Sequence, residues 1–277
     1  MMRASLSVRI GESARDKTQL AVTVETILDQ AAQAGFQGVS MRASAVNTDS
    51  SRLQVRALRD ALYAAKLRVS MVTGNFALAQ NNAQAPDVLT HITPHLDLAE
   101  RLGAKLVRVM LHQPEDISAA QRAADEAGER NLTLVQQCHW GSLAETIDDA
   151  VALARKVDRE NFGITLEPAN LAACGSSFEA IAVQQLAPYL RNVYFQNIRF
   201  DPDGPVNFPT RTRGDVRVRF VPLSAEDGLE VSGMLAGLKA VDYQGWFTIH
   251  QPLLVGQALD AAIEEAARFL RVHGILV

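Results

Sequence analysis

The chain has 277 residues, of which 48% are hydrophobic and 21% are charged, and its formal net charge is −4. A slightly acidic chain without a basic run is not expected to bind nucleic acid, because neutralising phosphates takes clustered Lys and Arg. No stretch approaches the ~18 apolar residues of a membrane span, and the start lacks a signal-peptide pattern, so we expect a cytoplasmic protein without a membrane contact.

Short β-branched runs alternate with amphipathic helical stretches along the whole chain. In chain order, strands are predicted over residues 6–10, 38–42, 68–73, 106–111, 132–137, 162–166, 193–197 and 246–250, and a last helix over 258–272. Strands that alternate with helices indicate βαβ units and a parallel sheet. Eight units favour closure into a barrel, and no GxGxxG pattern follows the first strand to support a doubly wound sheet. We therefore predict a single (β/α)8 TIM barrel domain over residues 1–277.

One connection, over residues 201–230, is long and rich in Pro, Gly and Arg. A loop longer than about 15 residues in a compact domain is usually functional or disordered. We expect this loop to lie over the carboxyl-terminal face of the barrel, either as a lid or substrate clamp or as a solvated loop with charged tips. In the first case its arginines would meet an anionic substrate: Arg211, Arg213, Arg217 and Arg219.

Polar residues become denser toward the carboxyl ends of the predicted strands. Successive strand residues alternate between faces, so the apolar set of each strand is expected to face the helices and the polar set the barrel axis. Barrel enzymes build their active sites at these strand ends, and burying many polar groups costs free energy unless each is paired or bound. For Arg108, which lies deeper in its strand, a structural salt bridge is the expectation. Arg42 also points inward and is expected to bind substrate or neutralise Glu167. We predict a functional ring from the inward set His112, Gln137, His139, Glu167, Gln196 and His250.

Five short motifs lie at these strand ends or lead into them. They are Gln137-Cys138-His139, Glu167-Pro168-Ala169-Asn170, Tyr194-Phe195-Gln196-Asn197, Asp227-Gly228-Leu229-Glu230 and the stretch that begins at Asp242 and ends at His250. In this order and spacing the sequence resembles the xylose isomerase-like TIM barrels, the sugar phosphate isomerase/epimerase family, over nearly the whole chain. The resemblance implies a role in carbohydrate metabolism: an isomerase, an epimerase or a related lyase that transfers a proton next to the carbonyl of a sugar or keto-sugar.

The resemblance also implies a divalent metal ion, which that family holds with Glu, Asp, His and Glu. The corresponding positions here are Gln137, Glu167, Gln196 and His250, so Glu167 is the one carboxylate. A set with fewer charges is expected to bind a hard dication such as Mg²⁺ more weakly and to favour Mn²⁺, Co²⁺, Ni²⁺ or Zn²⁺. The alternative is a metal-free pocket in which amides and imidazoles bind sugar hydroxyls.

The same substitutions change the mechanism that the resemblance implies. Two Glu of the family exchange a proton across the substrate, and Gln137 and His250 stand at those positions. Glutamine cannot exchange this proton but histidine can, so an asymmetric scheme is expected. In it His250 or His139 is the base, His112 is a further acid/base candidate, and Glu167 or its metal stabilises the enediolate. The substrate-binding candidates are Arg42, Asn75, Gln113, Trp140, Asn170 and Asn197.

A second class of function is a barrel that has lost catalysis and binds a sugar as a sensor or carrier. The replacement of both proton-exchanging carboxylates motivates this alternative. A nuclease of the same superfamily is a poor match, because the sequence has neither a multi-zinc set of His and carboxylates nor a basic face. The sequence leaves open which sugar is bound, whether that sugar is phosphorylated, and the oligomeric state, a homo-oligomer included.

Overall fold

The computed structural model describes residues 2–13 and 16–276. Eight of its strands are parallel and are numbered along the chain: β1 Arg3–Ser7, β2 Gly38–Met41, β3 Arg68–Val72, β4 Leu106–Val109, β5 Thr133–Gln137, β6 Phe162–Leu166, β7 Leu190–Phe195 and β11 Trp246–Ile249. They close a barrel in the order β1-β11-β7-β6-β5-β4-β3-β2. The predicted (β/α)8 TIM barrel is confirmed.

Helices follow the strands and cover the outside of the barrel. They are α1 Val24–Gln33, α2 Arg52–Ala64, α3 Phe76–Gln80, α4 Thr93–Leu102, α5 Asp116–Glu129, α6 Ile147–Val157, α7 Pro168–Ala173, α8 Ala180–Leu186, α9 Ser232–Ala240 and α10 Leu259–Val272, with short 3-10 helices at Val8–Gly11 and Ala85–Leu89. Thr23, Ser51 and Thr146 begin α1, α2 and α6 because each side chain accepts a backbone N–H of the first turn. None of the helices in the described part of the chain is long and apolar enough to cross a membrane.

The apolar face of each strand packs against the helices, as its alternation predicts. Val107, Ile164 and Val193 are fully buried in the main core together with residues of the surrounding helices. A separate small cluster fills the inside of the barrel with Met71, Leu106, Val135, Tyr194 and Trp246. The polar residues of the same inward face follow at the carboxyl ends of the strands, so the fold collects them in one place.

The first strand lies earlier in the chain than the sequence predicts. It ends at Ser7, and a 3-10 turn replaces the strand expected as far as residue 10. The Ser7 hydroxyl accepts the Arg9 backbone N–H at 3.3 Å, which favours this turn over an extended chain. As a result the Arg9 side chain leaves the backbone at the rim of the barrel.

The connection over residues 201–230 is more ordered than a loop. Together with the residues just before it, it forms an antiparallel sheet of β8 Ile198–Phe200, β9 Val206–Thr210 and β10 Gly214–Phe220, in the order β8-β10-β9. Phe208 and Val218 are buried against Ile198 and α7. The alternation of Val216, Val218 and Phe220 with arginines is the sequence signal for β10, and the surrounding Pro, Gly and Arg residues obscure it.

Candidate active site

Glu167 lies at the centre of the carboxyl ends of the strands. It follows β6, its side chain is fully buried, and Pro168 directly after it begins α7. Gln137 at the end of β5 and Gln196 directly after β7 each donate an amide N–H to one of its carboxylate oxygens. The parallel register of β5, β6 and β7 puts these strand ends side by side. Three residues of the predicted ring therefore lie in direct contact.

Burial raises the pKa of Glu167 to about 7, although the charges of Arg9 and Arg108 oppose this shift. The amides that contact the carboxylate carry no charge, so they hold the group in place without a direct ion pair. A carboxyl group whose pKa is close to neutrality exchanges protons well at physiological pH. The site therefore contains one group with the properties of a general acid or base.

Arg9 contacts this centre and was not among the residues predicted from the sequence. Its Nη1 donates to Gln196 Oε1 at 2.7 Å and to the His250 carbonyl at 3.3 Å, and its guanidinium lies 5.4 Å from the centre of the Phe220 ring. The signal was available, because Ser5, Ser7 and Arg9 alternate with apolar residues and share the inward face. Arg9 therefore places a positive charge near Glu167, with only the Gln196 side chain between the two groups.

Arg42 forms a buried ion pair with Glu12, a residue that sequence reasoning also missed. The Arg42 Nε donates to Glu12 Oε1 at 2.6 Å, and the two side chains are 3% and 4% exposed. The Arg42 Nη2 donates to the Ala79 carbonyl at 3.0 Å, and the Ser44 hydroxyl donates to the same Glu12 oxygen at 2.9 Å. Arg42, predicted to bind substrate, is thus held rigidly at the end of β2.

Arg108, Asn81 and His139 form a buried chain of hydrogen bonds. Arg108 donates to Asn81 Oδ1 and, at 3.0 Å, to the Leu78 carbonyl, so it lacks the expected salt bridge among the described residues. Asn81 Nδ2 lies 2.7 Å from His139 Nε2, and His139 Nδ1 lies 2.7 Å from the Trp140 carbonyl. Because a carbonyl only accepts, Nδ1 carries the proton and Nε2 accepts from Asn81. Both nitrogens of His139 are engaged.

The three histidines of the predicted ring are held toward the neutral form. Burial and the charge of Arg108 lower the pKa of His139 to about 3. Burial, followed by the charges of Arg9 and Arg42, holds the pKa of His250 well below its ordinary value. His250 Nδ1 lies 2.9 Å from the Ser7 hydroxyl, and its ring stacks on Tyr194 with 4.1 Å between centroids. His112 is half-buried at the rim, and burial lowers its pKa as well.

Most of the other substrate-binding candidates bind the backbone. Asn75 accepts the Leu78 N–H at 2.8 Å and begins α3, Asn170 donates to the Cys138 carbonyl at 2.9 Å, and Asn197 donates to the Pro222 carbonyl at 2.8 Å. Gln113 is exposed in the connection after β4. Trp140 differs from these residues, because its half-buried ring stacks on Phe208 of β9 with 5.9 Å between centroids. It forms an apolar wall between His139 and the added sheet.

A buried glutamate fastens the turn between β9 and β10 to the barrel. Glu145, which is 2% exposed, accepts backbone N–H groups from Arg211 at 2.7 Å, from Thr212 at 3.1 Å and from Gly141 at 2.6 Å. The Thr212 hydroxyl donates to the Cys174 carbonyl at 2.9 Å. Arg211, expected to meet an anionic substrate, donates instead to the carbonyls of His112 and Gly141. The turn therefore rests on the loops that follow β4, β5 and β6.

Several buried polar atoms inside the barrel lack a hydrogen-bond partner among residues 2–13 and 16–276: Thr73 Oγ1, Arg108 Nε, Gln137 Oε1 and Thr165 Oγ1. They belong to neighbouring strands of the barrel or to the residues that directly follow them. Buried polar groups are nearly always satisfied by protein, water or ligand. A ligand that carries several hydroxyl groups would satisfy atoms of this kind.

The four positions at which the resemblance implies metal ligands lie at adjoining strand ends but do not fit a divalent ion. Both Glu167 oxygens accept amide N–H groups, and Gln196 Oε1 accepts from Arg9. The guanidinium charges of Arg9 and Arg108 act on the same carboxylate, and a dication would add repulsion to them. Within the described residues there is no group of three or more His, Cys, Asp or Glu that could hold a metal. The electrostatics of the site favour an anion over a cation.

Residues 28–273 match the family of xylose isomerase-like TIM barrels, and the chain belongs to that family. The resemblance of the strand-end motifs is thereby confirmed. No curated protein matches the sequence.

Solved structures of the same fold are similar to this chain at low sequence identity. A D-psicose 3-epimerase solved in the presence of D-fructose is 14% identical, with 99% of each chain covered and a TM-score of 0.72. A xylose isomerase-like protein from Mycobacterium smegmatis, in complex with magnesium, is 16% identical, with 98% of this chain and 96% of that chain covered and a TM-score of 0.68. The chain spans 45% of a xylose isomerase-like TIM barrel/4-hydroxyphenylpyruvate dioxygenase fusion protein, which covers 100% of this chain at 16% identity and a TM-score of 0.70.

The same fold also occurs in a probable 3-DHS dehydratase and in an AP endonuclease. Enzymes of several reaction types therefore share this architecture. The fold does not select one of these reactions, and the argument for function depends on the residues of the site.

Proposed function

We propose that the chain is an enzyme of the sugar isomerase or epimerase type, or a related lyase, which moves a proton next to a carbonyl group of a small sugar-derived substrate. The observation that carries this proposal is the fully buried Glu167 carboxyl group, held by two amides at the carboxyl ends of the strands. Barrel enzymes act at this face. A D-psicose 3-epimerase has the same fold, so the architecture is compatible with this class of reaction.

In this proposal Glu167 removes the proton from the carbon next to the carbonyl and returns it or passes it on. The negative charge that develops on the substrate oxygen is stabilised by the guanidinium of Arg9, which is a fixed hydrogen-bond donor. Burial and the charges of Arg9 and Arg42 disfavour protonation of His250, but only its Nδ1 has a partner among the described residues. Its Nε2 is therefore available for the second proton-transfer position. This replaces the sequence-based assignment of Glu167 as a metal ligand with an assignment as acid and base.

The other predicted acid/base residues take different places in the proposal. His139 acts as a positioning residue, because both of its nitrogens are engaged and Arg108 disfavours its protonation. His112 stands at the rim and is the remaining candidate for a proton donor to a leaving group. The unpartnered atoms of Gln137 and Thr165 support a substrate with several hydroxyl groups.

A second candidate function is a sugar-binding barrel without catalysis. The specific observation in its favour is that Gln137 and His250 stand where the resemblance implies two proton-exchanging carboxylates. Such a protein would bind a sugar through the same amides and imidazoles. It would not exchange any proton of the bound sugar with the solvent.

The two functions are separated by following exchange with D2O. The chain is incubated with a panel of keto-sugars, sugar phosphates and sugar acids, and deuterium next to the carbonyl is measured by NMR. We expect incorporation into at least one member of the panel and a loss of about 100-fold or more in Glu167→Gln. Glu226→Gln, which makes the same change at an exposed position, should keep the wild-type rate.

Saturable binding of a panel member without any exchange would contradict the enzyme and favour the binding protein. Equal exchange rates in the wild type and Glu167→Gln would show that another residue moves the proton.

A further inference from the structure

Three arginines lie at the barrel mouth, the end of the barrel where Glu167 lies, and the side chain of Arg9 is the half-buried one. The guanidiniums of Arg9, Arg42 and Arg108 face the two carboxylates of Glu12 and Glu167. Arg42 and Arg108 are 3% and 1% exposed, and Glu167 is 0% exposed. Arg42 is paired with Glu12, whereas Arg9 contacts only the neutral acceptors of Gln196 and His250 and has no ion pair with a described residue. A partly buried guanidinium without a carboxylate partner favours an anion as its ligand.

The three arginines differ in how many donors they have left. Both Nη groups of Arg108 are bound to protein acceptors. Arg42 uses Nε for Glu12 and Nη2 for Ala79, which leaves Nη1. Arg9 uses Nη1 alone, so Nε and Nη2 have no acceptor within the described part of the chain. Because a guanidinium carries five N–H donors, Arg9 and Arg42 together retain several for a ligand.

Arg9 and Arg42 follow neighbouring strands of the barrel. Ser7 of β1 pairs with Ser40 of β2, and Arg9 and Arg42 each follow two residues later at the same end of the barrel. Two guanidiniums with unused donors, those of Arg9 and Arg42, therefore line one side of the mouth.

Arg9 connects this cationic side to the reacting centre. Its Nη1 donates to Gln196 Oε1, and the amide of Gln196 donates in turn to Glu167. An anion bound by the outer donors of Arg9 would thus lie beside the carboxylate that moves the proton in the proposed reaction. Arginine is well suited to this, because its planar fork matches a carboxylate or a phosphate in two parallel hydrogen bonds.

We infer that Arg9 and Arg42 bind the carboxylate or phosphate group of an anionic sugar derivative, and that Arg9 supplies beside Glu167 the positive charge that a divalent metal would otherwise supply. This inference rests on the proposed function, and it narrows the substrate class from sugars in general to sugar acids or sugar phosphates. The unpaired charge of Arg9 and the unused guanidinium donors of Arg9 and Arg42 carry it, and neither depends on which reaction follows.

The test measures thermal unfolding of the full chain with inorganic phosphate and with gluconate, each against chloride at matched ionic strength. For the wild type we expect a saturable rise in Tm with at least one of the two anions. Arg9→Met should weaken the apparent affinity at least tenfold, since one lost charged contact is worth about 1.4 kcal/mol or more. Arg122→Gln, which removes an exposed arginine of α5, should bind as the wild type does.

A rise in Tm no larger than that in chloride, or equal affinities in the wild type and Arg9→Met, would overturn the inference. Arg9→Lys keeps the positive charge but loses the planar pair of donors of the guanidinium. This variant replaces Arg9→Met in the test if the methionine variant does not fold. We expect Arg9→Lys to bind the anion at least threefold more weakly than the wild type does. Unchanged affinity would contradict the inference that the anion accepts two parallel hydrogen bonds from the Arg9 guanidinium. The anion that binds more tightly identifies the substrate class: phosphate would indicate sugar phosphates, and gluconate would indicate sugar acids.

Failure of this inference is distinguishable from failure of the proposed function. Deuterium exchange into a neutral keto-sugar, together with no anion binding, would support the proposed enzyme activity and contradict the anion site. The opposite result is saturable anion binding that is lost in Arg9→Met, together with no deuterium exchange in any panel member. It would support the anion site and contradict the proposed enzyme activity.

Discussion

Glu167 is a buried acid whose direct partners are neutral. Two amides fix the orientation of its carboxylate. The positively charged Arg9 guanidinium does not contact the carboxylate directly but is linked to it through the Gln196 side chain. Burial therefore dominates, and it raises the pKa of Glu167 to about 7. A directly paired carboxylate would have a lowered pKa and would be a poor base near neutral pH. The neutral amides at this position are what make proton transfer by Glu167 chemically reasonable.

Asn81 is the residue that holds Arg108 and His139 in place. Asn81→Gly removes both hydrogen bonds but suits the left-handed backbone at this position, where φ is 53°. We expect the free energy of unfolding to fall by about 1–3 kcal/mol, because a buried guanidinium and a buried imidazole each lose a partner. Urea denaturation measures the change.

The matched control is Asn131→Gly, which makes the same substitution at an exposed residue with φ of 55°. It should change the free energy of unfolding by less than about 0.5 kcal/mol. Equal effects of the two substitutions would mean that the backbone conformation, and not the network around Asn81, is responsible.

At the residue scale, strand alternation predicts part of the site. Glu167, Gln137 and Gln196 follow from alternation, because neighbouring parallel strands end at the same rim. Glu12 and Asn81 do not follow, because they belong to connections whose position depends on contacts with Arg42 and Arg108 from distant parts of the chain.

Among the secondary-structure elements, the sheet of β8, β9 and β10 is the one added to the barrel. Its turn is fixed by Glu145, which accepts three backbone N–H groups, two of them from the turn itself. The site residues beneath are almost completely buried, with Gln137, Gln196 and His250 each 3% exposed. A substrate therefore reaches Glu167 only when some part of this rim moves, and we expect the turn between β9 and β10 to be such a part.

Glu145→Gln is expected to loosen this turn. An amide is a weaker acceptor than a carboxylate for backbone N–H groups, so the hydrogen bonds to Arg211 and Thr212 should weaken. Limited trypsin digestion should then cut after Arg211 and Arg213 several-fold faster than in the wild type. The cleavage sites are read by mass spectrometry.

Glu226→Gln is the control, because it changes an exposed glutamate of the segment that follows the sheet. Its digestion should match that of the wild type. If Glu145→Gln were cut no faster than this control, contacts other than Glu145 would hold the turn.

At the scale of the whole molecule, the sequence predicts the barrel well, and the physical reason is the repetition of one unit. Apolar strand faces such as those with Val107 and Val193 have to be covered by helices, and eight such units close on themselves. The start of the chain is less predictable, because the local hydrogen bond of Ser7 turns the backbone where apolar residues favour a longer strand. The added sheet is hidden for a similar reason, since its strands are short and rich in arginine.

The molecule as a whole brings three arginines together at one end of the barrel although its formal net charge is −4. Arg9 lies in the turn after β1, Arg42 directly after β2 and Arg108 in β4, so the fold and not the composition groups them. In the proposed reaction, guanidinium groups, and not a divalent metal, therefore supply the positive charge beside Glu167.

Metal analysis tests this claim most directly. The purified full chain is stripped with a chelator, and Mn²⁺ binding is followed by the electron paramagnetic resonance of the free ion, in the wild type and in Glu167→Gln. We predict weak, non-stoichiometric binding that is the same in both proteins, because the donor set is satisfied internally and the surrounding charge repels a cation. Tight binding of one Mn²⁺ per chain that disappears in Glu167→Gln would contradict the account and restore the metal site that the family resemblance implies.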